Sequence, residues 1–159
     1  MSEKIAIIGG GIIGCLIARE LLKNSPEAQV SLIERDLVGQ GASLRSAGLH
    51  FPLGRTERVR RMSAYSQRFY SSLQRQDPAI PIYDVKLQVL APQDGFEGLR
   101  VNFLAEATLA QRAFNPNEDV QVPEGFGAWD VMGCQYADVH GLVQQLARSL
   151  RKKVEFLEG

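Results

Sequence analysis

Lys4-Ile5-Ala6-Ile7-Ile8-Gly9-Gly10-Gly11-Ile12-Ile13-Gly14 is an apolar, β-branched run that passes without a gap into a G-x-G-x-x-G turn. A helical pattern follows, and Asn24-Ser25-Pro26 stops it. A second apolar run, Val30-Ser31-Leu32-Ile33, ends at Glu34, twenty residues beyond Gly14. A glycine turn with a strand before it, a helix after it and an acid at the next strand tip is the setting in which the fingerprint signifies a dinucleotide site.

Each part of the stretch has a physical task. Gly9 lets the chain turn out of the strand, Gly11 leaves the backbone open to a pyrophosphate, and Gly14 lets the helix pack closely on the sheet. The helix points free N–H groups and its positive dipole end at the phosphates. Its expected buried stripe is Ile13, Ile17 and Leu21, with Leu16 and Ala18 beside it. The Glu34 carboxylate can accept ribose hydroxyls and would repel a 2′-phosphate, which disfavours NADP.

Working outward, residues 37–56 are loop-like and rich in Gly and Ser. Residues 56–75 read as a helix with Thr56 as N-cap, Val59, Met62, Phe69 and Leu73 on a buried side, and Tyr65 and Tyr70 near its edge. Tyr83–Ala91 alternates, with Val85, Leu87 and Val89 on one face, as a strand does. Residues 95–114 read as a second long helix ended by Asn115-Pro116-Asn117, and 118–135 as short strands and turns. Asp138 caps a final helix with the stripe Val139, Leu142, Val143, Leu146 and Leu150. Val154-Glu155-Phe156-Leu157 is the last strand, expected as a third parallel strand reached by a right-handed crossover.

A chain of 159 residues can bury a real core, and 18 basic against 18 acidic side chains give no sign of a nucleic-acid partner. No apolar run is long enough to span a bilayer, and the apolar run at the amino terminus reads as the first strand rather than a signal peptide. Cys15 and Cys134 make no disulfide framework, and a cytoplasmic location is expected. Cys15 reads as a small packing residue. Arg55, Arg58, Arg60, Arg61 and Arg68 form a local basic cluster: a carboxylate clamp or a solvated helix face. His140 and Trp129 read as structural. No Ser-His-Asp arrangement, metal-ligand cluster or catalytic base stands out, and the catalytic residues are left unassigned.

The stretch IERDLVGQGASLRSAGLH, residues 33–50, resembles the second cofactor-binding segment of the D-amino-acid oxidase-like flavoproteins, which include glycine oxidase and sarcosine oxidase. ADVHGLVQQLARSLRKKVEFLEG, residues 137–159, is similar to that family's return from substrate domain to nucleotide domain. The resemblance implies an α/β fold: a Rossmann-like FAD-binding parallel sheet with an inserted partial α+β substrate domain. The boundaries it implies are 1–55 for the first FAD-binding part, 56–135 for the partial substrate or cap domain, and 136–159 for the return.

By the same resemblance, Gly9, Gly11 and Gly14 would hold the FAD pyrophosphate with Ile12 and Ile13 close by. Glu34 would take the adenosine ribose and Arg35 would border the adenine. Ala42 and Ser43 would meet the phosphates. Arg45, Ser46, Ala47, Gly48 and Leu49 would line the ribityl chain and the isoalloxazine edge. His50 has three readings: covalent attachment to the flavin, a hydrogen-bonding role, or a loop histidine with no special task.

The implied activity is oxidation of the C–N bond of an amino acid or amine, with hydride passing to flavin N5. Family members are longer, so the resemblance implies a fragment, a truncation or one chain of an enzyme built from two polypeptides. The missing C-terminal part or a partner chain would then be needed for activity. An NAD-dependent dehydrogenase fragment shares the fingerprint and the acid, and a non-catalytic FAD-binding subunit of a two-chain complex shares the loop as well.

Overall fold

The computed structural model describes residues 3–105, 107, 109–111 and 121–159. The chain forms two compact units. Unit 1 takes residues up to Gly48, the short segment Ala79–Pro81, and Ala137–Gly159; unit 2 takes Leu49–Pro78 and Ile82–Tyr136.

Unit 1 holds β1 (Lys4–Ile8), α1 (Ile12–Asn24), β2 (Gln29–Glu34), a 3-10 turn over Ala42–Arg45, α4 (Val139–Leu150) and β7 (Val154–Glu158). Its sheet is parallel in the order β1-β2-β7, with β2 in the middle. The register pairs Ile7 with Leu32, Leu32 with Phe156, and Glu34 with Glu158. Side chains alternate across a strand, so Ile7, Val30, Leu32 and Val154 are buried while Ala6, Ile8, Glu155 and Leu157 are exposed. The last strand is thus the third parallel strand, as expected.

α4 follows its sequence pattern closely. Asp138 accepts from the Gly141 N–H at 3.0 Å as the N-cap. Val139, Leu142, Val143, Leu146 and Leu150 are all buried, each side chain contributing about 1.5–3 kcal/mol. α1 lies against α4, β1 and β2, but not by the expected stripe. Gly14, Cys15 and Ala18 are its buried residues, whereas Ile13 is 67% exposed and Ile17 46%. The reason is close approach: a Cβ on Gly14 would run into the Gly9 carbonyl oxygen, so the helix meets the strand through its smallest residues and turns the large ones outward.

Unit 2 holds β3 (Leu49–His50), α2 (Glu57–Gln76), β4 (Ile82–Pro92), α3 (Phe96–Arg100), β5 (Leu109–Gln111) and β6 (Phe126–Ala137), the last residue of β6 belonging to unit 1. β6 is central, flanked by β3 and β4, and β5 also pairs with it. β3 and β5 run antiparallel to β6, with Leu49 opposite Tyr136 and Leu109 opposite Val131. Phe103, Val131 and Cys134 form the core cluster, and Val85, Leu87 and Val89 pack against it from one face of β4.

Three expectations are corrected in this unit. The long helix over 95–114 is a five-residue helix followed later by strand β5, although residues 112–117 lie outside those described. Pairing of Leu109–Gln111 with β6 outweighs the local helical pattern. The short strands and turns of 118–135 are, from Phe126 onward, one twelve-residue strand; residues 118–120 lie outside the described set. α2 starts at its Thr56 cap, yet of its expected stripe Leu73 is buried while Val59 and Met62 are exposed. Polar contacts hold it as well: Gln67 donates to the Gly133 carbonyl and Gln74 to the Ile82 carbonyl, each at 2.9 Å.

Candidate functional site

The candidate site lies at the carboxyl end of the parallel strands of unit 1. Gly9 takes φ +105°, a left-handed conformation that suits glycine, and turns the chain out of β1. Gly11 then precedes α1 as its N-cap with no side-chain cap, and the first helical turn carries no acidic residue. Helix-terminal N–H groups are therefore offered without a carboxylate from the helix itself to neutralise them.

Two distant segments converge on this turn. The Ser43 hydroxyl, buried within the Gly/Ser loop, accepts from the Ile12 N–H at 2.9 Å. Glu34 Oε2 accepts from the Gly10 N–H at 2.7 Å and its Oε1 from the Asp36 N–H at 3.1 Å. Those two donors, Gly10 first, hold the Glu34 carboxyl below its ordinary 4.5, so it is ionised at neutral pH. Each oxygen keeps lone-pair capacity for a further donor such as a ribose hydroxyl.

The rest of the expected set is spread over a mostly exposed loop. Arg35 points to solvent and bonds Asp36. Ala42, Arg45, Ser46 and Ala47 are exposed, and the Ser46 hydroxyl accepts from the Gly48 N–H. Gly48 has φ +66°. Leu49 and His50 form β3 in unit 2, where His50 lies opposite Gln135 and edge-on to Tyr70. Burial lowers the His50 imidazole below its ordinary value, and its Nε2 is buried with no hydrogen-bond partner among the described residues.

Other sequence candidates fall into structural places. Cys15 is fully buried and its thiol is pushed up to about 11 by that burial. Trp129 is buried and stacks on Phe96 at 3.8 Å between ring centroids. Arg55, Arg58, Arg61 and Arg68 are exposed, and Arg60 donates to the Gly54 carbonyl.

Several residues around the turn carry no clear signal in the sequence. A Cβ on Gly10 would lie 2.8 Å from Val38 and 3.1 Å from both Glu34 and Leu32, so the middle glycine is crowded by its surroundings on several sides. Gly39, at φ +85°, packs against Val143, Gln144 and His140. Gln144 and Glu158 reach back to Val38 across 106 and 120 residues of chain. Such separations leave no local pattern in the sequence.

A family profile described as "DAO: FAD dependent oxidoreductase" matches residues 4–159. The chain belongs to this family. Glycine oxidase of Pseudomonas aeruginosa is 28% identical over 98% of the chain and 44% of its own length. Among solved structures, L-amino acid deaminase from Proteus myxofaciens superposes with a TM-score of 0.80 at 15% identity, covering 99% of this chain and 38% of that one. L-proline dehydrogenase from P. horikoshii gives 0.78 at 20% identity, covering 99% and 44%. The chain therefore spans roughly two-fifths of the length of these relatives.

The turn fits the family's cofactor, FAD. Nothing lies within 4 Å of a Cβ built on Gly9 or Gly41, and on Gly11 the sole close atom is the Ser43 hydroxyl, so the backbone is open where a diphosphate would approach. No described helix is long and apolar enough to cross a membrane, and no group of three or more His, Cys, Asp or Glu among the described residues could hold a metal ion.

Proposed function

We propose that this chain is the FAD-binding portion of an oxidoreductase that oxidises the C–N bond of an amino acid or amine. The observation that carries the reading is the convergence of Ser43 and Glu34, from separate segments, on the N–H groups of Gly10 and Ile12 at the start of α1. In this reading Gly9, Gly11 and Gly14 cradle the diphosphate, with Ile12 and Ile13 close by at the start of α1. Glu34 takes the ribose hydroxyls, and Arg35 borders the adenine. Ala42 and Ser43 meet the phosphates, and Arg45–Leu49 follow the ribityl chain towards His50. When bound, FAD supplies an acceptor at flavin N5 for hydride from the carbon that bears the amine.

The substrate class draws support from the relatives, whose names include glycine oxidase, L-amino acid deaminase and L-proline dehydrogenase. A FAD-binding subunit that completes its site with further polypeptide is the second reading. It is supported by the exposed apolar side chains of unit 1, Ile8 at 79% and the outward Ile13 and Ile17.

The test is a FAD titration followed by absorbance from 300 to 550 nm, with Gly11→Val beside the wild type. Flavin bands that travel with wild-type protein and vanish in Gly11→Val are expected, because a branched side chain would displace Ser43 and fill the approach. Equal flavin content in the two proteins would sink the reading. Amino-acid and amine oxidation assays on the flavin-loaded sample then separate an enzyme from a binding subunit.

A further inference from the structure

The Gly/Ser loop has to leave the strand layer at a fixed point if its small residues are to reach the start of α1. That point is Val38, and both its backbone polar groups are held by side chains from the distant α4–β7 segment. The Val38 N–H donates to Glu158 Oε1 at 3.0 Å, and the Val38 carbonyl accepts from Gln144 Nε2 at 2.9 Å. The next residue continues the grip, with the Gly39 N–H donating to the Gly10 carbonyl at 3.0 Å. Three successive backbone polar groups are thus tied down, and none is tied to its own segment.

The holders are themselves fixed. Glu158 ends β7 opposite Glu34 on β2, in register with it at the carboxyl end of the sheet. Arg151, in the turn between α4 and β7, donates to the other Glu158 oxygen at 2.7 Å, and its guanidinium lies 4.4 Å over the Phe156 ring. The Val38 side chain is buried and touches the space that a Cβ on Gly10 would take. A displacement of Val38 therefore moves both Gly10, which bonds Glu34, and the loop that presents Ser43.

We propose that Glu158, supported by Arg151 and aided by Gln144, is a positioning residue for FAD binding. It clamps Val38 and so sets the path of the loop at residues 39–48. The proposal rests on the reading that this turn and loop hold FAD. It gives α4 and β7 a second task besides the pairing of β7 with β2.

The experiment compares Glu158→Ala, Glu158→Gln and Gln144→Ala with wild type and with Gly11→Val. The readouts are FAD affinity by flavin fluorescence and amide hydrogen exchange without FAD. Glu158→Ala is expected to weaken FAD at least tenfold and to speed exchange at residues 38–41 at least tenfold, with β2 unchanged. Glu158→Gln keeps an oxygen for the Val38 N–H and is expected to recover most of both effects, which a loss of general stability would not do.

Gln144→Ala removes the bond to the Val38 carbonyl while leaving Glu158 in place, and is expected to weaken FAD several-fold. It serves as the decisive variant should Glu158→Ala fail to fold. Wild-type affinity in folded Glu158→Ala, or in Gln144→Ala where that variant decides, overturns the clamp while leaving the FAD site intact, provided Gly11→Val has lost binding. Wild-type affinity in Gly11→Val removes the FAD reading and the clamp with it.

Discussion

Gly10→Ala adds one methyl group at a crowded point of the turn. The new carbon would sit 2.8 Å from Val38 Cγ2 and 3.1 Å from Leu32 Cδ2, where carbon atoms rest at about 3.5–4.0 Å. Val38 would have to retreat by about 0.7 Å or more. Its backbone is held by Glu158 and Gln144, and Leu32 is fully buried in the central strand, so neither side has room to give. Overpacking of this kind costs about 1–3 kcal/mol.

A chemical denaturation series on wild type and variant, followed by far-UV circular dichroism, measures that loss. Gly98→Ala is the matched control. Nothing lies within 4 Å of its Cβ and it sits in the short helix α3, so it is expected to be neutral or to gain up to about 1 kcal/mol through the unfolded chain. If Gly10→Ala stays within about 0.5 kcal/mol of wild type, the range of ordinary surface changes, the argument from packing at Gly10 is wrong.

Three further outcomes can be checked. Glu34 and Glu158 both have carboxyls held below their ordinary 4.5, so their contribution to stability is complete above that value and is lost as pH falls through the folded-state values. Thermal melts from pH 6 to pH 3 should show this loss, and Glu34→Gln should make the profile flatter; an unchanged profile counts against the Gly10 and Asp36 hydrogen bonds. Native Cys15 is fully buried and its thiol is pushed up to about 11, so a thiol reagent at pH 8 should label it after unfolding and not before. Leu142→Ala, at a fully buried position of α4, should cost about 2–5 kcal/mol in the same denaturation experiment.

The sequence is most legible where local pattern and tertiary packing ask for the same thing. α4 has a polar cap, one apolar face and a matching partner surface, so its periodicity names its buried residues. α1 is apolar on more than one side, and periodicity could not tell the Ile13–Ile17 face from the Gly14–Cys15–Ala18 face. The choice was made by the closeness of the Gly9 carbonyl, a distance in space.

In β6, Gly127 and Gly133 look like turn residues but are strand residues with neighbours over them. The Trp129 ring covers the position a side chain on Gly127 would take, and Gln67 does the same at Gly133. At the candidate site, the glycine pattern and Glu34 mark the turn from the sequence alone. The supports at Gln144 and Glu158 are invisible there, because a hydrogen bond between residues more than a hundred apart leaves no spacing to read.

The parallel pairing of β2 with β7 has a consequence for how the chain assembles. Ser31 bonds Glu155 across 124 residues, so the β2–β7 pairing waits for β7 to be made. A loop of that length is entropically slow to close. Unit 2 supplies the shortcut: its own first and last residues, Leu49 and Tyr136, are strand partners, and the Ala137 N–H donates to the Gly48 carbonyl beside them. Once unit 2 has folded, its two ends stand one strand spacing apart and the long excursion behaves as a tight hairpin. Mutations that loosen the pairing of β3 with β6 are therefore expected to slow formation of the β2–β7 pairing, read by stopped-flow refolding, without touching any residue in it.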